Sequence, residues 1–251
     1  MSQRPARRAG FRTRAAAAIG IGLIAAAGLA LVAGRKPEAP AAVEARATNR
    51  PQLMLLTTLP LMFGDSFGLD HKGSPALSAL EAHYTVVPVA VADRATLARG
   101  RLLLMAHPLA QPAEALVELD QWVRSGGRLL LLADPMLEWP SERPLGDSLR
   151  PPPAFADTGL LAHWGLRLDA PDERGPRQRE LAGLTILTAS PGALTGQRCA
   201  VSRDRLVAHC SVGKGKATIV ADADFLDVDQ LDGPVSNNLK AMVDELDALD
   251  R

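Results

Sequence analysis

Residues 101–135 read RLLLMAHPLAQPAEALVELDQWVRSGGRLLLLADP. RLLLM at 101–105 is an apolar run of strand length. Residues 112–125 then place Ala115, Leu116, Leu119, Trp122 and Val123 on one stripe of a helix. Gly126-Gly127 supplies the stop that a helix C-terminus prefers. A second apolar run, RLLLLA at 128–133, follows at once. Two continuously apolar strands joined by an amphipathic helix predict neighbours in a parallel sheet covered on both faces.

The same alternation extends in both directions. Residues 53–57 predict a strand, 74–83 a helix with Ser74 as N-cap, and 85–91 a strand that Pro88 places at an edge. Residues 134–156 hold six prolines and predict a long ordered loop. A short helix over 157–164, capped by Asp157, comes next. Residues 185–188, 197–202 and 205–212 predict strands, the last two forming a hairpin, and KATIVA at 216–221 a buried strand. The closing helix, 235–248, turns Leu239, Met242, Val243 and Leu246 inward. The expected class is α/β: an open, mostly parallel sheet with helices on both faces and a C-terminal antiparallel hairpin.

The N-terminus has a different character. Residues 1–14 carry five arginines and no acid, and residues 15–34 are uncharged. Twenty helical residues span about 30 Å, the thickness of a membrane's hydrocarbon core. The segment holds nine alanines and four glycines against seven Leu, Ile or Val. Those seven contribute only about −2 to −4 kcal/mol of insertion energy. It reads as a signal-anchor helix, the alternative being a cleaved signal peptide with Ala39-Pro40-Ala41 as its site and Arg7-Arg8 as a twin-arginine pair. Residues 1–14 would stay in the cytoplasm, 35–50 form an Ala/Pro-rich linker, and 51–251 fold in the periplasm of a bacterial-type cell.

The chain carries 28 basic and 28 acidic residues and is 4% aromatic. A nucleic-acid partner is not expected from that balance. No metal or cofactor motif is apparent either. Cys199 and Cys210 face each other if the hairpin turns on Asp204-Arg205, because opposed residues then sum to 409. Counting outward from a two-residue loop makes them a hydrogen-bonded pair. Both a bridge and two small buried thiols fit, and an oxidising compartment favours the bridge.

Two stretches together resemble a known family: residues 101–135 and GKGKATIVADADFLD at 213–227, followed by SNNLKAMVDEL. They look like the extracytoplasmic domain of gliding-motility-type (GldG-like) auxiliary components of ABC transport systems. The resemblance spans roughly residues 50–250 and implies a class I glutamine amidotransferase-like fold without its catalytic apparatus. It also implies the inner membrane and the transporter's permease subunits as partners.

An amidotransferase of that fold needs a cysteine on the turn after the third strand, where Ala106-His107-Pro108 stands. Phe63-Gly64-Asp65-Ser66 resembles the nucleophile block of GDSL-type esterases, which offers Ser66 as the nucleophile of an alternative envelope hydrolase. The base that such a serine requires has no Asp-x-x-His motif among His71, His83, His107, His163 and His209. Asp65, His107, Asp134, Asp222 and Asp224 follow predicted strands. In an open parallel sheet that edge binds ligands, so these five are the expected ligand-binding set, and a hard cation with oxygen ligands is one ligand that suits it. The plainer reading is that they cap helices and pin loops. Gly213-Lys214-Gly215-Lys216 lies between two strands and predicts a tight turn, and the acidic stretch 222–232 a solvated loop.

A signal-anchor predicts an intact N-terminus in the membrane fraction. Mass spectrometry of the membrane-bound protein checks it; a mature chain starting near Ala42 would replace the anchor with a cleaved signal.

Overall fold

The order β2–β1–β3–β4–β11–β10–β9 defines the central sheet of the computed structural model, which describes residues 50–62 and 73–251. The segment 15–34, with Asp65, Ser66 and His71, lies outside those residues. Among the described residues no helix is long and apolar enough to cross a membrane.

Strands β1 (Gln52–Thr57), β2 (Thr85–Pro88), β3 (Leu102–Ala106), β4 (Arg128–Leu132) and β11 (Gly215–Val220) are mutually parallel. β10 (Val207–Val212) runs antiparallel to β11, and β9 (Ala200–Val201) antiparallel to β10. The fold is therefore mixed α/β with a mostly parallel central sheet. β3 and β4 are buried along nearly their whole length, as the continuous apolar runs require.

Side-chain alternation divides the interior into two layers. Leu53 and Leu55 point to one face, with helices α1 (Pro75–His83) and α5 (Asn238–Asp250); Met54 and Leu56 point to the other, with α3 (Ala113–Arg124). α1 starts on a working cap, since Ser74 Oγ accepts from Leu77 N. α3 ends at Ser125, and Gly126 turns the chain with φ +122°. A short α2 (Arg94–Leu97), capped by Asp93 Oδ1, was not expected from the periodicity.

Several boundaries depart from expectation. The strand predicted over 85–91 stops at Pro88, although Val89 N still donates to Leu55 O at 2.9 Å. Pro88 lies in an edge strand with its nitrogen turned away from β1, where no ladder bond is lost. The helix predicted over 157–164 is confined to α4 (Leu160–His163), although Asp157 Oδ1 does accept from Leu161 N. The closing helix starts and ends later than the predicted 235–248. Two small antiparallel pairs lie beside the main sheet: β5 (Leu166–Asp169) with β8 (Ala193–Gly196), and β6 (Pro176–Leu181) with β7 (Leu184–Ala189). Of β6, five residues escape full burial, so no apolar pattern marks it.

The β9–β10 register has the expected sum, pairing Val201 with Ala208 and Ala200 with His209. Cys199 and Cys210 are joined by a disulfide, with Cα atoms 4.4 Å apart. That spacing is the closer, non-hydrogen-bonded kind of pair, not the kind expected. Four residues form the turn, Ser202 N donating to Val207 O, and the longer loop shifts the hydrogen-bonding phase by one residue.

β10 and β11 are joined by Gly213-Lys214, the tight turn predicted for the GKGK stretch. Gly215 then passes α3 so closely that a Cβ would lie 1.9 Å from Val123 O. Gly215→Ala should therefore cost about 1–3 kcal/mol through overpacking, read as a lowered urea midpoint with an unchanged slope.

Candidate functional site

The C-terminal ends of β4 and β11 lie side by side, because the two strands pair in parallel from Arg128–Lys216 to Leu132–Val220. Asp134 follows β4, and Asp222 and Asp224 follow β11. One carboxylate oxygen from each lies within 4.8 Å of the others. The side chains are 0%, 0% and 2% exposed respectively. The expectation of a solvated loop over 222–232 thus fails at its start, where a 3₁₀ turn (Asp224–Leu226) buries Phe225 in the core.

Backbone N–H groups surround the cluster. Asp134 Oδ1 accepts from Met136 N at 2.8 Å and its Oδ2 from Ala223 N at 2.8 Å. Asp222 Oδ1 accepts from Phe225 N at 2.8 Å and its Oδ2 from Ala189 N at 3.2 Å. Asp224 Oδ2 accepts from Glu138 N at 2.8 Å. Each bond favours ionisation, yet burial and mutual repulsion oppose it. Desolvation raises Asp134 to about 6 despite its backbone donors. Burial, with the charge of Asp134, raises Asp224 to about 8. Asp222 is pushed well above the ordinary carboxylate range by burial and then by its two acidic neighbours.

Of the five residues expected to share a site, the structure brings these three together. They are buried staples, not the lining of an open cleft, because the loop after β4 and the end of β7 close over them. Asp65 lies outside the described residues. His107 does not join the cluster: its Nε2 donates to Pro152 O at 2.8 Å, and the ring is fully buried. Burial lowers its affinity for a proton, leaving a neutral ring whose Nδ1 has no partner. His107 has φ +47°, an uncommon conformation for a non-glycine residue. Its carbonyl accepts from the hydroxyl of Thr58, and Thr57 Oγ1 donates to Ala106 O at 2.8 Å. The turn after β3 is thus held on both sides.

A second polar group escaped the sequence reading. Glu245 of α5 is 4% exposed, and its Oε1 accepts from Thr218 Oγ1 at 2.8 Å and faces His209 Nε2 at 3.0 Å. These residues, with Ser211 and Lys216, line a cavity of about 310 Å³ where α5 stops covering the sheet. The available signal was the period-2 polar set His209, Ser211, Lys216 and Thr218 along two strands. An acid on a helix stripe, by contrast, is unremarkable in sequence. Elsewhere, His163 Nε2 lies 3.5 Å from Asp120 Oδ1, and His83 is exposed at the end of α1.

No family model matches the sequence, and no curated protein matches it. Solved structures do resemble the chain. A cytoplasmic protein of Salmonella typhimurium LT2 matches with a TM-score of 0.50 at 13% identity, covering 79% of this chain and 99% of that one. A GH42 β-galactosidase from G. stearothermophilus matches with a TM-score of 0.47 at 14% identity, over 80% of this chain and 30% of that one. A protein described as ThuA-like, from Bacteroides uniformis ATCC 8492, matches with a TM-score of 0.42 at 10% identity, over 78% of this chain and 90% of that one. This chain spans less than a third of the length of the β-galactosidase. At such identities the likeness is one of fold alone.

Glu245 raises His209 above the usual histidine value, and the pair holds Glu245 below the usual carboxylate value. Stability from His209 is complete below the unfolded value and is lost as pH rises through the folded one. Stability from Glu245 is lost as pH falls through its folded value. The pair therefore contributes fully only between about pH 4.5 and 6.5. An NMR titration should place the His209 midpoint above that of a free histidine, and Glu245→Gln should bring it down.

Proposed function

We propose that this chain is a non-catalytic, membrane-anchored extracytoplasmic domain with a glutamine amidotransferase-like fold, acting by binding as an auxiliary component of an ABC-type transport system. One observation carries the non-catalytic part. The turn after β3, where an amidotransferase of this fold places its nucleophile, holds the fully buried His107 against Pro152 O. An imidazole in that setting meets no solvent and no substrate.

The acidic residues at the same edge support the reading. Five backbone N–H groups occupy the carboxylates of Asp134, Asp222 and Asp224. General acid–base work needs a carboxyl within hydrogen-bond reach of substrate, and these face the interior. Cys199 and Cys210, bonded to each other, supply no thiolate. The membrane location rests on residues 1–34, and the transport role on the GldG-like pattern of residues 101–135 and 213–227.

The full chain should show no Ser66-dependent turnover of a generic ester such as p-nitrophenyl acetate. Affinity capture from solubilised membranes should retain a permease subunit. Ester turnover that disappears in Ser66→Ala would overturn the reading in favour of a hydrolase.

A further inference from the structure

The Asp134, Asp222 and Asp224 carboxylates leave one atom unexplained. Five of their six oxygens accept a backbone N–H. The sixth, Asp224 Oδ1, accepts no backbone or side-chain N–H or hydroxyl, on a side chain that is 2% exposed. Asp224 turns its other oxygen out to Glu138 N and lies close enough to Asp134 for direct carboxyl contact. The three carboxylates converge there, one oxygen of each within 4.8 Å of the others.

No ion pair among the described residues brings Lys or Arg to any of the three. The further charges acting on Asp224 belong to Glu138 and Asp227, both acidic. Buried carboxylates without a counter-ion are strongly disfavoured, and backbone dipoles offset only part of that cost. Protons can neutralise the cluster instead, but on Asp134 and Asp222 each would sit on an oxygen that already accepts an N–H. A cation compensates all three at once.

We infer that Asp134, Asp222 and Asp224 hold one hard divalent cation, magnesium or calcium, with Asp224 Oδ1 among its ligands. Carboxylate-only donors select such ions over softer metals. Oxygens on opposite sides of an ion are two bond lengths apart, about 4.2 Å for magnesium and about 4.6–5.2 Å for calcium. The 4.8 Å limit on the three oxygens suits either. The ion ties the end of β4 to the turn after β11 and leaves the backbone bonds to the outer sides of the carboxylates in place. This inference goes beyond the transport reading and does not rest on it.

The test uses the purified full chain, stripped with EDTA and dialysed against about 1 mM magnesium or calcium, the weak end of protein calcium sites. Metal analysis should find about one ion per chain with one of the two cations, and that cation should raise the melting temperature of the stripped protein. Asp224→Asn should weaken binding by at least about tenfold, while Asp227→Asn, which removes a nearby half-buried acid outside the cluster, should retain most of it. Absence of bound metal with both cations, together with an unchanged melting temperature, would overturn the inference. So would equal loss in both variants, which marks diffuse attraction, or undiminished binding by Asp224→Asn. If Asp224→Asn does not fold, stoichiometry and melting of the unaltered chain still decide the matter.

Discussion

Burying three carboxylates at the end of a sheet is the constraint around which the C-terminal edge of this protein is organised. A carboxylate taken out of water loses several kcal/mol of solvation and must recover it from donors fixed in place. Here the donors come from separate stretches of chain: the start of the loop after β4, the end of β7, and the 3₁₀ turn after β11. Each stretch is irregular or at an element's end, so its N–H groups have no ladder to join. The aspartates satisfy those groups, and the groups hold the aspartates. Neither side is stable without the other.

Asn238 extends the arrangement into α5. Its Oδ1 accepts from Leu187 N, while its Nδ2 donates to Leu187 O and Phe225 O. One amide side chain thus imitates a strand partner for β7 and fixes the first turn of α5 against the 3₁₀ turn. α5 can then place Met242 and Leu246 on the sheet. Polar bonding at the edge and apolar packing beneath it depend on each other. A change at Asp222 or Asn238 would reach both.

The same geometry bears on function. An edge that binds substrate in an open α/β sheet needs exposed loops. This one is closed by the chain's own backbone at β4 and β11, and the turn after β3 is sealed by Pro152 O over His107. The cavity beside His209 and Glu245 is on the opposite, antiparallel side of the sheet, where α5 ends.

Much of the fold was legible in the sequence because its signals are local. Continuous apolar runs at 101–105, 128–133 and 216–221 can satisfy their burial only in a sheet covered on both faces, and Gly126-Gly127 stops α3 wherever the chain is folded. The opposition of Cys199 and Cys210 followed from register arithmetic alone. Other features had no local signature. β6 exposes most of its residues, so nothing periodic distinguished it from a loop. Asp134, Asp222 and Asp224 were visible as residues following strands, but Asp65 and His107 matched the same description. Only the parallel pairing of β4 with β11 selects which acids meet, and only the loop after β4 decides that they are buried. Apolar periodicity reports which face of an element is covered. It carries no information about which strand ends become neighbours, because that depends on strand order, and strand order is a property of the whole packed sheet.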